Sequence, residues 1–204
     1  MLDNDPVGRI LSLYERYGQE HYGEAVTQIQ HAVQTGALAI AEGYPDDVVL
    51  AAFLHDIGHL MINEVSPDER DDAIYRHQRV GAERLRDLGF SEQVVDLVAT
   101  HVDSKRYLTA IDTGYLSTLS PASMESLGFQ GGPMTADEVA AFEARPDLYL
   151  HVRLRHWDDL AKDPDNDRID ISPFVSRMRE HLRLRRSALD DLSIAGNAYV
   201  SGEV

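Results

Sequence analysis

The stretch Val48 to Leu60 (Val-Val-Leu-Ala-Ala-Phe-Leu-His-Asp-Ile-Gly-His-Leu) constrains the fold more than any other part of the chain. An apolar run of helix-forming residues ends in three side chains that bind metals or move protons: His55, Asp56 and His59. On a continuous helix His55 and His59, four positions apart, share a face, and Asp56 sits about 100° round. Phe53, Leu54, Ile57 and Leu60 flank them, so these polar groups enter apolar surroundings rather than a solvated helix end. An unpaired carboxylate in such a place is costly. A metal ion is the simplest receiver, and the chain is expected to fold around one.

The remaining pattern is helical. Asp5-Pro6 opens a first helix with Val7, Ile10, Leu11 and Tyr14 as its stripe, closed by Gly18. After the connector His21-Tyr22-Gly23-Glu24, a second helix is expected from about Ala25 to Ala41, ended by Gly43 and Pro45. The central helix follows, with Asp46 or Asp47 as its cap. Residues 61–73 are polar and acidic and read as a loop. Helices are expected at Tyr75–Leu88, Ser91–His101, Thr135 to about Ala144 (a Thr135-x-x-Glu138 capping box), Leu148–Leu160 and Ser172 to about Ser187. Residues 110–132 read as irregular or short-helical, and His181 is assigned to a solvated helix face. Strand-like alternation is nearly absent. The expected fold is therefore all-α, a compact helical bundle of one domain over residues 1–190, with 191–204 as a C-terminal tail.

Composition narrows the function. The 204 residues, 43% hydrophobic and 26% charged, are those of a globular chain with a sizeable core. The absence of cysteine excludes disulfides, thiolate catalysis and iron–sulfur clusters. No signal-peptide pattern or membrane-length apolar run is visible, so a cytoplasmic protein is expected. A formal net charge of −16 argues against nucleic-acid or anionic-membrane binding, and no obligate protein partner is evident. In such a field, any local group of basic residues is informative.

Beside His55-Asp56, the candidate ligands His31, His77, His101 and Asp158 each fall on a different expected helix. Four imidazoles and two carboxylates exceed the needs of one structural zinc and suit two borderline ions, iron or manganese, bridged by a carboxylate. Asp56 is the candidate bridge. Lys105 lies one turn beyond His101 and Arg155 three residues before Asp158, so each shares a helix face with a proposed ligand. An anionic substrate needs such charges.

In this order the residues His31, His55-Asp56, His77, His101 and Asp158 resemble the HD-domain superfamily of metal-dependent enzymes. The resemblance sharpens at His101-x-x-x-Lys105-Arg106-Tyr107-Leu108, Gln130-Gly131-Gly132-Pro133-Met134 and Arg155-x-Trp157-Asp158. These segments are similar to the branch of mixed-valent di-iron oxygenases that break the carbon–phosphorus bond of 2-amino-1-hydroxyethylphosphonate or its N-trimethyl analogue. The resemblance implies two iron ions (Fe2+/Fe3+), dioxygen as co-substrate, and release of phosphate with glycine or glycine betaine. It also implies that His59, Lys105, Ser123, Ser126, Gln130 and Arg155 hold the phosphonate oxygens, with Lys105 as the main point charge and His59 and Lys105 closest to the chemistry. Glu24 would face the cationic end of the substrate. One departure concerns a tyrosine that plugs the open iron position in the amine-specific enzymes. His21 stands at that position here, with Tyr22 one residue later. An aromatic such as Tyr22 suits a quaternary cation, so the trimethylammonium substrate is the expected one. The competing reading is an HD phosphohydrolase acting on a nucleotide or phosphomonoester, in which the same two metals activate water. A non-catalytic metal-binding domain would bind metal without turnover.

Overall fold

A computed structural model describes residues 5–21, 23–66 and 76–200, with 192–200 as backbone only. Its helices are α1 (Pro6–Tyr17), α2 (Gln28–Ala41), α3 (Asp46–Leu54), α4 (Ile57–Ile62), α5 (His77–Asp87), α6 (Glu92–Ile111), α7 (Pro121–Phe129), α8 (Ala136–Glu143), α9 (Leu148–Leu160) and α10 (Ser172–Val200). A 3-10 turn, Tyr115–Thr118, precedes α7. No strand occurs among the described residues, and no helix there is long and apolar enough to cross a membrane.

The central element is α3, which packs against α2, α6, α9 and α10. Every residue from Val48 to Leu54 is buried. That explains why its sequence is apolar all round rather than striped. Around it the partner helices bring Trp157, Leu154, Phe174 and Met178, and the Phe53 and Phe174 rings stack with centroids 4.3 Å apart. Tight contacts join α4 to α5 as well, where Gly58 and Gly81 let the two backbones touch.

Several expected boundaries move. Helix α2 starts at Gln28, not Ala25, because Thr27 and Gln30 form a capping box. Pro45, not Asp46 or Asp47, is the N-cap of α3; the two aspartates lie in its first turn, where their charge complements the helix dipole. Helix α6 continues ten residues past His101 to Ile111, and α10 continues to Val200 rather than ending near Ser187. The expected loop at 61–73 is helical as far as Ile62, and its residues 67–73 lie outside those described. The Thr135–Glu138 capping box forms as read.

Two differences bear on chemistry. The helix carrying His55 and Asp56 is not continuous. It stops at Leu54 and restarts at Ile57, with Asp56 in the bridge region of backbone space (φ −99°, ψ 7°). The break frees carbonyls at the end of α3. The Tyr14 hydroxyl donates to that of Phe53 at 3.0 Å, and His55 Nδ1 donates to that of Ala52 at 2.9 Å. The other correction is His181, which is buried rather than solvated. It accepts from the Ser91 amide at 3.1 Å through Nε2 and contacts Asp47 Oδ1 at 3.1 Å through Nδ1, tying α10 to the starts of α6 and α3.

Candidate metal centre and substrate pocket

The break at Asp56 aims its carboxylate between two histidine pairs. Oδ1 lies 3.4 Å from His77 Nε2 and 3.3 Å from His101 Nε2. Oδ2 lies 3.7 Å from His31 Nε2 and 3.6 Å from His55 Nε2. Asp158, from α9, joins the second pair: its Oδ1 is 3.3 Å from His31 Nε2 and 3.9 Å from His55 Nε2. Donor atoms held by one ion at about 2.0–2.2 Å lie roughly 3.0–3.5 Å apart. Each half of the cluster has close to that spacing, and Asp56 offers one oxygen to each.

The imidazole protons test whether these groups fit a metal. A backbone carbonyl only accepts, so a ring nitrogen bound to one must carry the hydrogen. His31 Nδ1 donates to Ala161 O at 2.8 Å, His55 Nδ1 to Ala52 O at 2.9 Å and His101 Nδ1 to Val98 O at 2.8 Å. In the neutral rings, each Nε2 is then a bare lone pair pointing inward. Yet His31 Nε2 faces His55 Nε2 at 3.2 Å, and His77 Nε2 faces His101 Nε2 at 3.1 Å. The facing His31 and His55 lone pairs repel unless a cation, a proton or a metal ion, sits between them, and fixing Nδ1 on a carbonyl is how proteins orient metal-binding histidines.

The charges agree. Burial alone would push both carboxyls up. The His55, His101 and His77 rings hold Asp56 well below the usual carboxylate range, and Arg155 with His31 does the same for Asp158. Burial also pushes His55 down to about 4, so it stays unprotonated at neutral pH. Arg155 donates through Nη1 to Asp158 Oδ2 at 2.5 Å, which leaves Oδ1 for the histidines. Asp159 and Tyr115, whose hydroxyl lies 2.8 Å from Arg155 Nε, hold the guanidinium in turn.

A cavity of about 480 Å³ opens onto this cluster. Because α6 continues past His101, Lys105 faces the same space, as its one-turn spacing requires. Its Nζ donates to Ser126 Oγ at 2.8 Å and to the Ser123 carbonyl at 3.4 Å. Burial, then the neighbouring Arg155, lowers its pKa to about 8. Ser123, Ser126, Gln130 and Arg155 also line the cavity, and Gln130 Oε1 is buried with no hydrogen-bond partner among the described residues. His59 lines it too, although the helix break removes the four-residue argument that placed it there. Its ring stacks on that of His77 with centroids 3.8 Å apart.

Glu24 reaches the same cavity, but not alone. Its Oε1 accepts from Lys162 Nζ at 2.8 Å and from the Ser120 hydroxyl at 2.6 Å. The sequence reading missed Lys162. Its one signal was a position four residues after Asp158, and α9 ends before it. It missed Tyr115 as well, which carries no motif. Tyr22 lies outside the described residues, while His21 is exposed with Nδ1 3.3 Å from the Glu24 carbonyl. In a further cluster, Asp96, Asp147 and His151, Arg145 offsets part of the negative charge: it pairs with Asp96 and lies 3.2 Å from His151 Nε2.

Fold and site together define a helical protein with two groups of histidine and aspartate that could each hold a metal ion, sharing Asp56, beside a pocket lined by Lys105 and Arg155. Residues 29–141 match the HD domain model. The chain is 39% identical over 172 residues to the 1-hydroxy-2-(trimethylamino)ethylphosphonate dioxygenase (glycine-betaine-forming) of Leisingera caerulea, covering 81% of this chain and 86% of that protein. It is 40% identical over 167 residues to the hydroxymethylphosphonate dioxygenase of Gimesia maris, covering 79% and 82%. The chain belongs to the HD-domain family, on the branch that holds these two phosphonate dioxygenases. Asp158 and Arg155 lie beyond the matched HD residues, and both relatives' alignments are long enough to extend past that segment.

Proposed function

We propose that the protein is a di-iron oxygenase that uses dioxygen to cleave the carbon–phosphorus bond of a 1-hydroxyphosphonate, releasing phosphate. The observation that carries this reading is the Asp56 carboxylate, with one oxygen toward each histidine pair, at the base of a pocket walled by Lys105. His31, His55 and Asp158 would hold one iron, His77 and His101 the other, and Asp56 both. The irons supply the dioxygen activation and the electron that no side chain here can provide. Lys105 and Ser126 bind the phosphonate oxygens, and the Lys105 charge stabilises the departing phosphate. His59, kept uncharged by burial against His77, contributes a ring nitrogen to the same group rather than a further charge. Arg155 orients Asp158 and completes the basic wall. The substrate class includes the trimethylammonium compound expected from sequence, whose products are phosphate and glycine betaine.

The test is iron content together with oxygen stoichiometry. Purified protein should carry two irons per chain and release one phosphate per dioxygen consumed. Phosphate release at the aerobic rate under argon refutes the reading. Hydrolysis of nucleotides under argon with manganese or magnesium would instead establish a phosphohydrolase.

A further inference from the structure

The part of the pocket nearest solvent holds a contact with no role so far. Lys162 Nζ donates to Glu24 Oε1 at 2.8 Å, to Ser123 Oγ at 3.1 Å and to Ser120 Oγ at 3.4 Å. The two charged side chains are only partly buried, 16% exposed for Lys162 and 23% for Glu24, whereas Lys105 is deeply buried. Ser123 links the two ammonium groups, with its carbonyl near Lys105 and its hydroxyl near Lys162. The backbone under Lys162 is anchored on both sides. The Ala161 carbonyl accepts from His31, and Asp163 exchanges two hydrogen bonds with the Gln34 side chain. The ammonium therefore starts from a fixed point beside the cavity.

We propose that Lys162 is a specificity-determining residue: paired with Glu24, it sets how strongly the pocket demands a positive charge at the substrate end remote from the phosphonate. The inference rests on the oxygenase reading above. An unpaired Glu24 carboxylate would repel a phosphonate dianion that lacks a cation and attract one that carries it. Lys162 cancels that charge, so a cation-free substrate is tolerated and a cationic one must compete with Lys162 for Glu24. Removing Glu24 instead leaves an uncompensated ammonium, which favours the cation-free dianion. The two residues thus act on selectivity in opposite directions. A purely structural tie between the end of α9 and the start of α7 would shift all substrates together.

The experiment compares hydroxymethylphosphonate with 1-hydroxy-2-(trimethylammonio)ethylphosphonate on the iron-loaded full chain. The readout is the ratio of kcat/KM for the cationic compound to that for the cation-free one. Lys162→Met should raise the ratio about tenfold and Glu24→Gln should lower it about tenfold, each the size of a 1.4 kcal/mol preference. The double variant should return to within about twofold of the wild type, since the residues are in direct contact. Lys162→Arg, which keeps the charge, should keep the wild-type ratio. Where a variant loses turnover, the ratio of Kd values for the same two compounds, measured anaerobically, takes its place. Ratios unchanged in both single variants, or shifted in the same direction, overturn the proposal. Failure of the wild type to turn over either compound in air would overturn the oxygenase reading, and the binding ratios would still decide on Lys162.

Discussion

Replacing Gly58 with alanine should remove one half of the metal centre while sparing the other. A Cβ at Gly58 would lie 1.9 Å from the His77 carbonyl oxygen and 2.7 Å from its carbon, both backbone atoms at the start of α5. Since real Cβ contacts essentially never fall below 3.0 Å, the start of α5 must retreat by about 1.1 Å. His77 sits there, with Nε2 3.4 Å from Asp56 Oδ1 and 3.1 Å from His101 Nε2. Metal–ligand distances tolerate about ±0.2 Å, so the displacement is several times what the site allows. His31, His55 and Asp158 come from α2, the end of α3 and α9, and stay in place. Gly58→Ala should then carry about one iron per chain, and a 1 Å misplacement of this kind costs turnover on the order of 100-fold. Overpacking costs about 1–3 kcal/mol, and a chain this long loses about 2–4 °C of Tm per kcal/mol. Iron analysis, phosphate release and thermal melting measure the three effects. Gly128, which has nothing within 4 Å of an added Cβ, is the control: Gly128→Ala should keep both irons and the wild-type Tm or a slightly higher one. A Gly58→Ala protein with two irons and wild-type turnover would refute the argument.

Other outcomes follow from the same contacts. His181→Ala should lower stability by about 1–3 kcal/mol, because it strands the buried Ser91 amide and removes one of the contacts on Asp47, yet keep both irons; Asp56→Ala should lose iron and all activity. The His181 contact holds the Asp47 carboxyl below its ordinary 3.8, so its stabilisation is complete above that pH and is lost as pH falls through the lower folded value. Acid melts should therefore show the gap between wild type and Asp47→Asn closing below about pH 3.8. With Lys105 pushed down to about 8, its charge disappears as pH rises through that value. Anaerobic affinity for a hydroxyphosphonate should fall between about pH 7 and 9 in the wild type. Lys105→Met should lack that step and bind about 10- to 100-fold more weakly at pH 7.

The sequence by itself determined what local rules write down. Helix starts at Asp5, Ser91 and Thr135, the buried character of Val48–Leu54, and the identity of six ligand candidates follow from capping, periodicity and side-chain chemistry. Each depends on neighbours within about four residues. The one-turn step from His101 to Lys105 was legible for the same reason. Even here a stronger local signal could be overlooked, as Thr27-x-x-Gln30 was. Tertiary structure alone decided how the candidates meet. Asp56 leaves the helix and divides its oxygens between histidines on four separate elements. His181, polar and near the end of the chain, is buried because Asp47 and Ser91 receive it. Lys162 carries no motif, and its meaning lies in Glu24, 138 residues away. Such contacts leave no local trace because the chain brings them together only by packing whole helices, which fixes charge against charge across distances no sequence period spans.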